Sequence, residues 1–351
     1  MKIVSIVGAR PQFIKAAPLL RAIAQRHRSM LVHTGQHYDA SMSDIFFNEL
    51  NLPAPDVHLG VGSGAHGAQT GAMLIALEPP LVDAKPDWVI VYGDTNSTLA
   101  GAVVASKLNI PLAHVEAGLR SFNRAMPEEV NRLVADHLAD ALFCPSDAAV
   151  ANLAAEGRTR AVHRIADTMI AALDDAVRRG RASSTVLERL GVADKHFALV
   201  TIHRAENTDD PARLAAIVDA LSRVGEPVVF PVHPRTRQAL GSAASRLTGV
   251  QLIDPVGYLD MVRLESAARL IVTDSGGVQK EAYWLGVPCV TVREETEWVE
   301  TVQAGWNTLT AANADAIASA IRTCHPPAAR PPLYADGASA DGIVSCLEEM
   351  A

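Results

Sequence analysis

The residues able to do chemistry stand in short polar strings, each directly after an apolar run. Gly93-Asp94-Thr95-Asn96 follows Trp88 to Tyr92, and His114-Val115-Glu116-Ala117-Gly118-Leu119-Arg120 puts a second carboxylate at the end of the next run. Met126-Pro127-Glu128-Glu129 adds a third. Carboxylates at neighbouring strand ends could face one cleft. Cations accompany them. Gly8-Ala9-Arg10-Pro11-Gln12-Phe13-Ile14-Lys15 turns into a helix whose positive end Arg10 and Lys15 flank, which resembles a phosphate-gripping corner. Later come Thr201-Ile202-His203-Arg204, His233-Pro234-Arg235 and Asp274-Ser275-Gly276-Gly277-Val278-Gln279-Lys280-Glu281. His203 can serve as acid, base or phosphate ligand. Ser275, Gly276 and Gly277 can bring backbone N–H groups against a diphosphate, and Glu281, a helical turn further on, can accept both hydroxyls of a ribose.

Each string also has a plainer reading. Asp94 stands where a helix N-cap would stand, and Glu128 lies in a first turn that the helix dipole favours for acids. Arg10 and Lys15 fit solvated cations on an ordinary turn, and Ser-Gly-Gly an ordinary cap. Position argues for chemistry, because ligands of open α/β sheets sit beyond the carboxyl ends of the strands.

The elements that must hold these strings are legible as two series of apolar runs. The first comprises Ile3 to Val7, Met30 to Val32, Trp88 to Tyr92, Leu112 to Val115 and Ala141 to Phe143. The second comprises Ala198 to Ile202, Val228 to Val232, Val250 to Ile253, Leu270 to Thr273 and Cys289 to Val292. Continuous apolar strands separated by helical segments indicate parallel sheets covered on both faces. The expected fold class is α/β, with two doubly wound, Rossmann-like domains and the active site in the cleft between them. The first domain is expected over 1–167 and the second over 168–335, with a terminal helix in 336–351 packing back on the first.

Bulk properties exclude several classes. A chain of 351 residues exceeds the roughly 250 to 300 at which single cores stop growing, which favours two domains. Net charge is −8 and no Lys/Arg stripe occurs, so nucleic acid is not an expected partner. The four cysteines are widely spaced and show no metal-ligand pattern, so no metal is expected. The first residues are strand-like, and no run of about 18 apolar residues occurs, so a cytoplasmic protein with no membrane partner is expected.

Taken in order, the six strings at 8–15, 93–96, 114–120, 126–132, 203–207 and 274–281 closely resemble the UDP-N-acetylglucosamine 2-epimerase family, whose architecture is GT-B. The resemblance spans nearly the whole chain. It implies a UDP-linked 2-acetamido sugar as substrate, elimination of UDP to a 2-acetamidoglucal, and re-addition, with no cofactor. The matching positions make Asp94, Glu116, Glu128 and His203 catalytic. They give Arg10, Lys15, Ser275, Gly276, Gly277 and Glu281 to the nucleotide; His233, outside the six strings, is a further substrate-binding candidate by its place after a strand. Family members are commonly homodimers.

The departures are specific. Many members carry Thr-Glu-Arg-Pro-Glu where this chain has Thr296-Glu297-Trp298-Val299-Glu300, so Trp298 replaces an arginine available to the nucleotide. Members activated by a second UDP-N-acetylglucosamine carry Gln-His-Arg and a later basic residue; here Tyr38 follows Gln36-His37 and Ala72 takes the later place. Some strings resemble more closely a branch acting on UDP-2,3-diacetamido-2,3-dideoxyglucuronate, whose C6 carboxylate needs a cation such as Arg120, Arg124 or Arg204. Rival readings are a GT-B glycosyltransferase and a non-catalytic UDP-sugar binding protein.

Overall fold

The protein was analysed as a computed structural model, which describes residues 1–36, 47, 49–334 and 339–351. Contacts divide the chain into one unit of Met1–Ala172 with Pro332–Ala351 and a second of Leu173–Pro331. The first unit runs β1 (Lys2–Val7), α1 (Arg10–Arg26), β2 (Arg28–His33), β3 (Val57–His58), α2 (His66–Ala84), β4 (Trp88–Tyr92), α3 (Asn96–Lys107), β5 (Leu112–Val115), α4 (Pro127–Leu138), β6 (Ala141–Cys144), α5 (Asp147–Ala155) and β7 (Val162–Arg164). Helix α6 (Thr168–Ser183) leads into the second unit, with α7 (Val186–Leu190), β8 (Ala198–Thr201), α8 (Ala205–Thr208), α9 (Pro211–Ser222), β9 (Val228–Pro231), α10 (Pro234–Leu240), β10 (Val250–Ile253), α11 (Tyr258–Ala267), β11 (Leu270–Thr273), α12 (Gly276–Leu285), β12 (Cys289–Thr291), α13 (Val299–Gln303), β13 (Asn307–Leu309) and α14 (Ala314–Thr323). The last helix, α15 (Ala340–Met350), belongs to the first unit.

Both sheets are parallel and share one strand order. The first reads β3-β2-β1-β4-β5-β6-β7 and the second β10-β9-β8-β11-β12-β13. Each is Rossmann-like, with winding that reverses between two central strands: β1 and β4 in one unit, β8 and β11 in the other. The loops leaving those strands carry Gly8, Asp94, His203 and Asp274. Three strands, β3, β7 and β13, have no counterpart among the apolar runs. They are two or three residues long, and only Asn307 among their residues is buried, so hydrophobic burial leaves little mark on their sequence.

The central strands are buried on both faces, which explains their unbroken Val and Ile content: Ile3, Val4, Ile6, Val89, Ile90 and Val91 are all inaccessible to solvent, as are Val200, Ile271 and Val272. Each such side chain contributes about 1.5 to 3 kcal/mol on burial. In the first unit α15 packs along α1, with Ile343, Val344 and Leu347 buried. Arg26 and His27 of the first segment both pair with Glu348, the histidine at 2.8 Å.

Candidate active site

In the first unit the carboxylates lie at the ends of adjacent strands, each in a different environment. The Asp94 carboxylate receives Arg132 Nη2 at 2.6 Å, and Arg132 Nη1 holds Glu129, also at 2.6 Å. Glu129 is buried and accepts from Ser121 N and Oγ and from Phe122 N, so it anchors the arginine that grips Asp94. The bland reading of Asp94 as an N-cap does not hold, since Thr95 occupies that position at α3. Glu116 follows β5 with φ at +74°, a left-handed backbone uncommon for a non-glycine residue and characteristic of functional sites. Its Oε2 meets Lys15 Nζ at 2.5 Å, both side chains being buried. Gly93 makes room for this pair: a Cβ there would stand 3.1 Å from Glu116 Oε2 and 3.2 Å from Lys15 Nζ, on a backbone with φ at +60°. Glu128 opens α4, half-buried. No hydrogen bond or ion pair to its carboxylate is found among the described residues.

Beneath these groups runs a chain of buried charges. His114 Nδ1 faces Asp136 Oδ1 and its Nε2 faces the Gly93 carbonyl, both at 2.7 Å. Asp136 Oδ2 accepts from Arg120 Nη1 at 2.7 Å, and Arg120 closes on Glu156 through Nε and Nη2. Burial alone would raise the Asp136 pKa, but His114 and Arg120 outweigh it and hold the carboxyl below its ordinary range. The buried guanidinium of Arg120, expected at the sugar, is engaged by the Asp136 and Glu156 carboxylates. Gln12 is an unforeseen structural residue. Its Oε1 accepts from Gly8 N and Ala9 N, which removes those amides from the supposed phosphate corner, while Nε2 reaches Tyr92 O and Thr98 Oγ1. Arg10, half-buried, is the first residue of α1.

The second unit places His203 after β8, with its side chain 45% exposed. Arg204, half-buried, stands beside it, and His233 lies at the start of α10 with its ring centroid 6.3 Å from that of His203. Burial first, then the charges of His203 and Arg235, push the His233 pKa below the ordinary range. Its Nδ1 accepts from Arg235 N at 3.3 Å, a bond that needs that nitrogen unprotonated. A depressed histidine adds no instability above its unfolded pKa, near 6.5, and weakens the fold as pH falls through that value. NMR titration of His233 is expected to give a midpoint below about 6.5; a midpoint at or above it contradicts this environment.

At α12 the first backbone donor with a helical acceptor is Gln279, to Ser275 O at 3.2 Å, and Ser275 makes no capping bond. The N–H groups of Gly276, Gly277 and Val278 therefore lie beyond the helical ladder at its positive end. Glu281 is buried on the same helix. Trp298 is also buried, with Lys280 Nζ 4.0 Å from its ring centroid, so a cation–π contact occupies the departure from the family string. His37 and Tyr38 lie outside the described residues; Ala72 is exposed on α2. Among the described residues no cluster of three His, Cys, Asp or Glu could hold a metal, and no helix is long and apolar enough to cross a membrane.

Comparisons with known proteins bear on the family and the fold. The family model for UDP-N-acetylglucosamine 2-epimerase matches residues 21–348. A UDP-N-acetylglucosamine 2-epimerase homolog of Methanococcus maripaludis is 50% identical over 332 residues, 93% of each chain. The UDP-2,3-diacetamido-2,3-dideoxy-D-glucuronate 2-epimerase of Pseudomonas aeruginosa is 50% identical over 329 residues, 92% of each chain. The crystal structure of Methanocaldococcus jannaschii UDP-GlcNAc 2-epimerase in complex with UDP-GlcNAc and UDP is 41% identical, with a TM-score of 0.93 over 99% of this chain and 100% of that one. The GT-B-like class follows from such neighbours and from the two Rossmann-like sheets. A family match over nearly the whole length, with relatives half identical to it, places this chain in the UDP-N-acetylglucosamine 2-epimerase family.

Proposed function

We propose that the protein is a non-hydrolysing isomerase that interconverts UDP-N-acetylglucosamine and its C2 epimer, UDP-N-acetylmannosamine. One carboxylate removes the C2 proton as the C1–O bond breaks and its electron pair leaves with UDP. A 2-acetamidoglucal remains. A second carboxyl group protonates C2 from the opposite face, and a diphosphate oxygen re-forms the bond to C1. Atoms and electrons balance without a redox partner.

The observation that carries this reading is the unequal pairing of the three carboxylates. Asp94 and Glu116 each touch a cation, whereas Glu128 touches none among the described residues. The cations hold Asp94 and Glu116 in direction and Glu128 lacks such a hold, so the set offers distinct candidates for the base and the acid. His203 and the amides at 276–278 serve the departing diphosphate, with Arg10 and Arg204 as further cations, His233 beside them and Glu281 on the ribose. Lys15 acts through Glu116.

The test is NMR of the reaction in D2O. Deuterium at C2 with a manno-configured UDP-sugar is the expected result. Free sugar plus UDP would indicate hydrolysis, and UDP binding without C2 exchange would favour a transferase or a binding protein. The P. aeruginosa relative motivates the diacetamido-glucuronate nucleotide as second substrate, and the faster of the two decides the branch. The commitment of Arg120 to Asp136 and Glu156 removes one cation that a C6 carboxylate would need.

The reading extends to a cytoplasmic homodimer serving cell-envelope polysaccharide synthesis. All four cysteines are free thiols, in keeping with a reducing compartment. Helix α2 exposes Ala68, Ala72, Ile75, Pro79 and Val82 at alternating spacings of four and three, an apolar seam suited to a second copy. A monomer in analytical ultracentrifugation at micromolar concentration would remove the dimer.

A further inference from the structure

The turn that opens α12 does two things at once. Its backbone at Gly276, Gly277 and Val278 presents N–H groups, and the residue at its head, Asp274, sends a carboxylate sideways beneath the neighbouring strand end. That carboxylate is inaccessible to solvent. It accepts from His203 N at 3.1 Å, Arg204 N at 3.0 Å and Asn207 Nδ2 at 3.1 Å. Its Oδ1 also stands 3.3 Å from His203 Nδ1. Strands β8 and β11 pair directly, Thr201 opposite Thr273, so the imidazole and the turn leave adjacent strand ends. The other titratable ring beside His203 is that of His233.

A carboxylate facing Nδ1 favours a proton on that nitrogen and leaves Nε2 as the reactive edge, the arrangement by which the aspartate of a serine-hydrolase triad sets its histidine. The distance of 3.3 Å is at the long end for a hydrogen bond, as is common before a ligand is bound. We propose that Asp274 is a positioning residue: it sets the tautomer and direction of His203, so that one turn carries both the amides that take the diphosphate and the group that aims the imidazole at it. The role assigned to His203 rests on the epimerase reading; the tautomer does not.

Long-range 1H–15N correlation spectra of the histidine-labelled protein with saturating UDP test the tautomer without turnover. His203 protonated at Nδ1, alone or with Nε2, is expected; a neutral ring with its proton on Nε2 overturns the proposal even if no variant folds. The Asp274→Asn variant is then expected to lose about 10- to 100-fold in kcat, with KM and the UDP Kd within about threefold. In a His203→Asn background the same change should cost less than about twofold. Equal losses in both backgrounds would mean that Asp274 merely supports the loop, and would also overturn it. Absence of turnover in the unaltered protein would sink the epimerase reading and leave the spectroscopic result standing.

Discussion

Replacing Asp94 by asparagine is expected to lower turnover by about a thousandfold, the middle of the range for a positioned acid or base, while UDP affinity stays within several-fold. The substitution keeps size and one acceptor oxygen, and Arg132 retains Glu129, so the fold should tolerate it. Glu116→Gln should be as damaging to turnover and should also cost stability. It leaves Lys15, a buried ammonium, without its carboxylate partner, a loss of roughly 3 kcal/mol at the low end for broken buried pairs. Turnover assays and thermal melts separate the two effects. Near-native turnover in either variant would remove that residue from the catalytic set.

The second large effect concerns two glycines that the fold does not need. Neither Gly276 nor Gly277 has a left-handed backbone. A Cβ at Gly276 would approach no nearer than 3.5 Å to Trp298 Nε1, and one at Gly277 no nearer than 3.9 Å to Ser275 Oγ, both ordinary contacts. Alanine in a helix is otherwise favourable, so Gly277→Ala should leave the melting temperature unchanged or raise stability by about 0.4 to 1 kcal/mol. If these glycines are present to let a diphosphate approach the amides, the same variant should bind UDP about 10- to 100-fold more weakly, or about 1.4 to 2.8 kcal/mol. Unchanged UDP affinity by calorimetry would refute this use of the turn.

The strand ends that carry the candidate site were readable because doubly buried parallel strands leave unbroken apolar runs, with polar strings directly after them. Side-chain direction was not readable. Glu128 and Glu129 are adjacent, but a helix turns about 100° per residue, and that rotation sends Glu129 into the core and leaves Glu128 half-exposed. The partners of Arg120 lie 16 and 36 residues further on, a pairing that only the fold creates and that sequence spacing does not announce. Gln12 and Asp274 stood inside recognised strings yet gave no sign of their roles, since amide and carboxylate caps on distant loops have no sequence spacing. The signal available for Asp274 was its place, first after β11, equivalent to that of Asp94 two residues after β4.

The return of α15 to the first unit bears on how the chain is made. The sheet of that unit is fully synthesised once β7 emerges from the ribosome, but the helix that covers part of α1 is encoded after the whole second unit. At about 5 to 20 residues per second the delay is roughly ten to thirty seconds. For that time the surface of α1 that receives Ile343, Val344 and Leu347 is open, and Arg26 and His27 lack Glu348. The second unit, continuous from Leu173 to Pro331, can close first, so the half begun earlier is the half finished last.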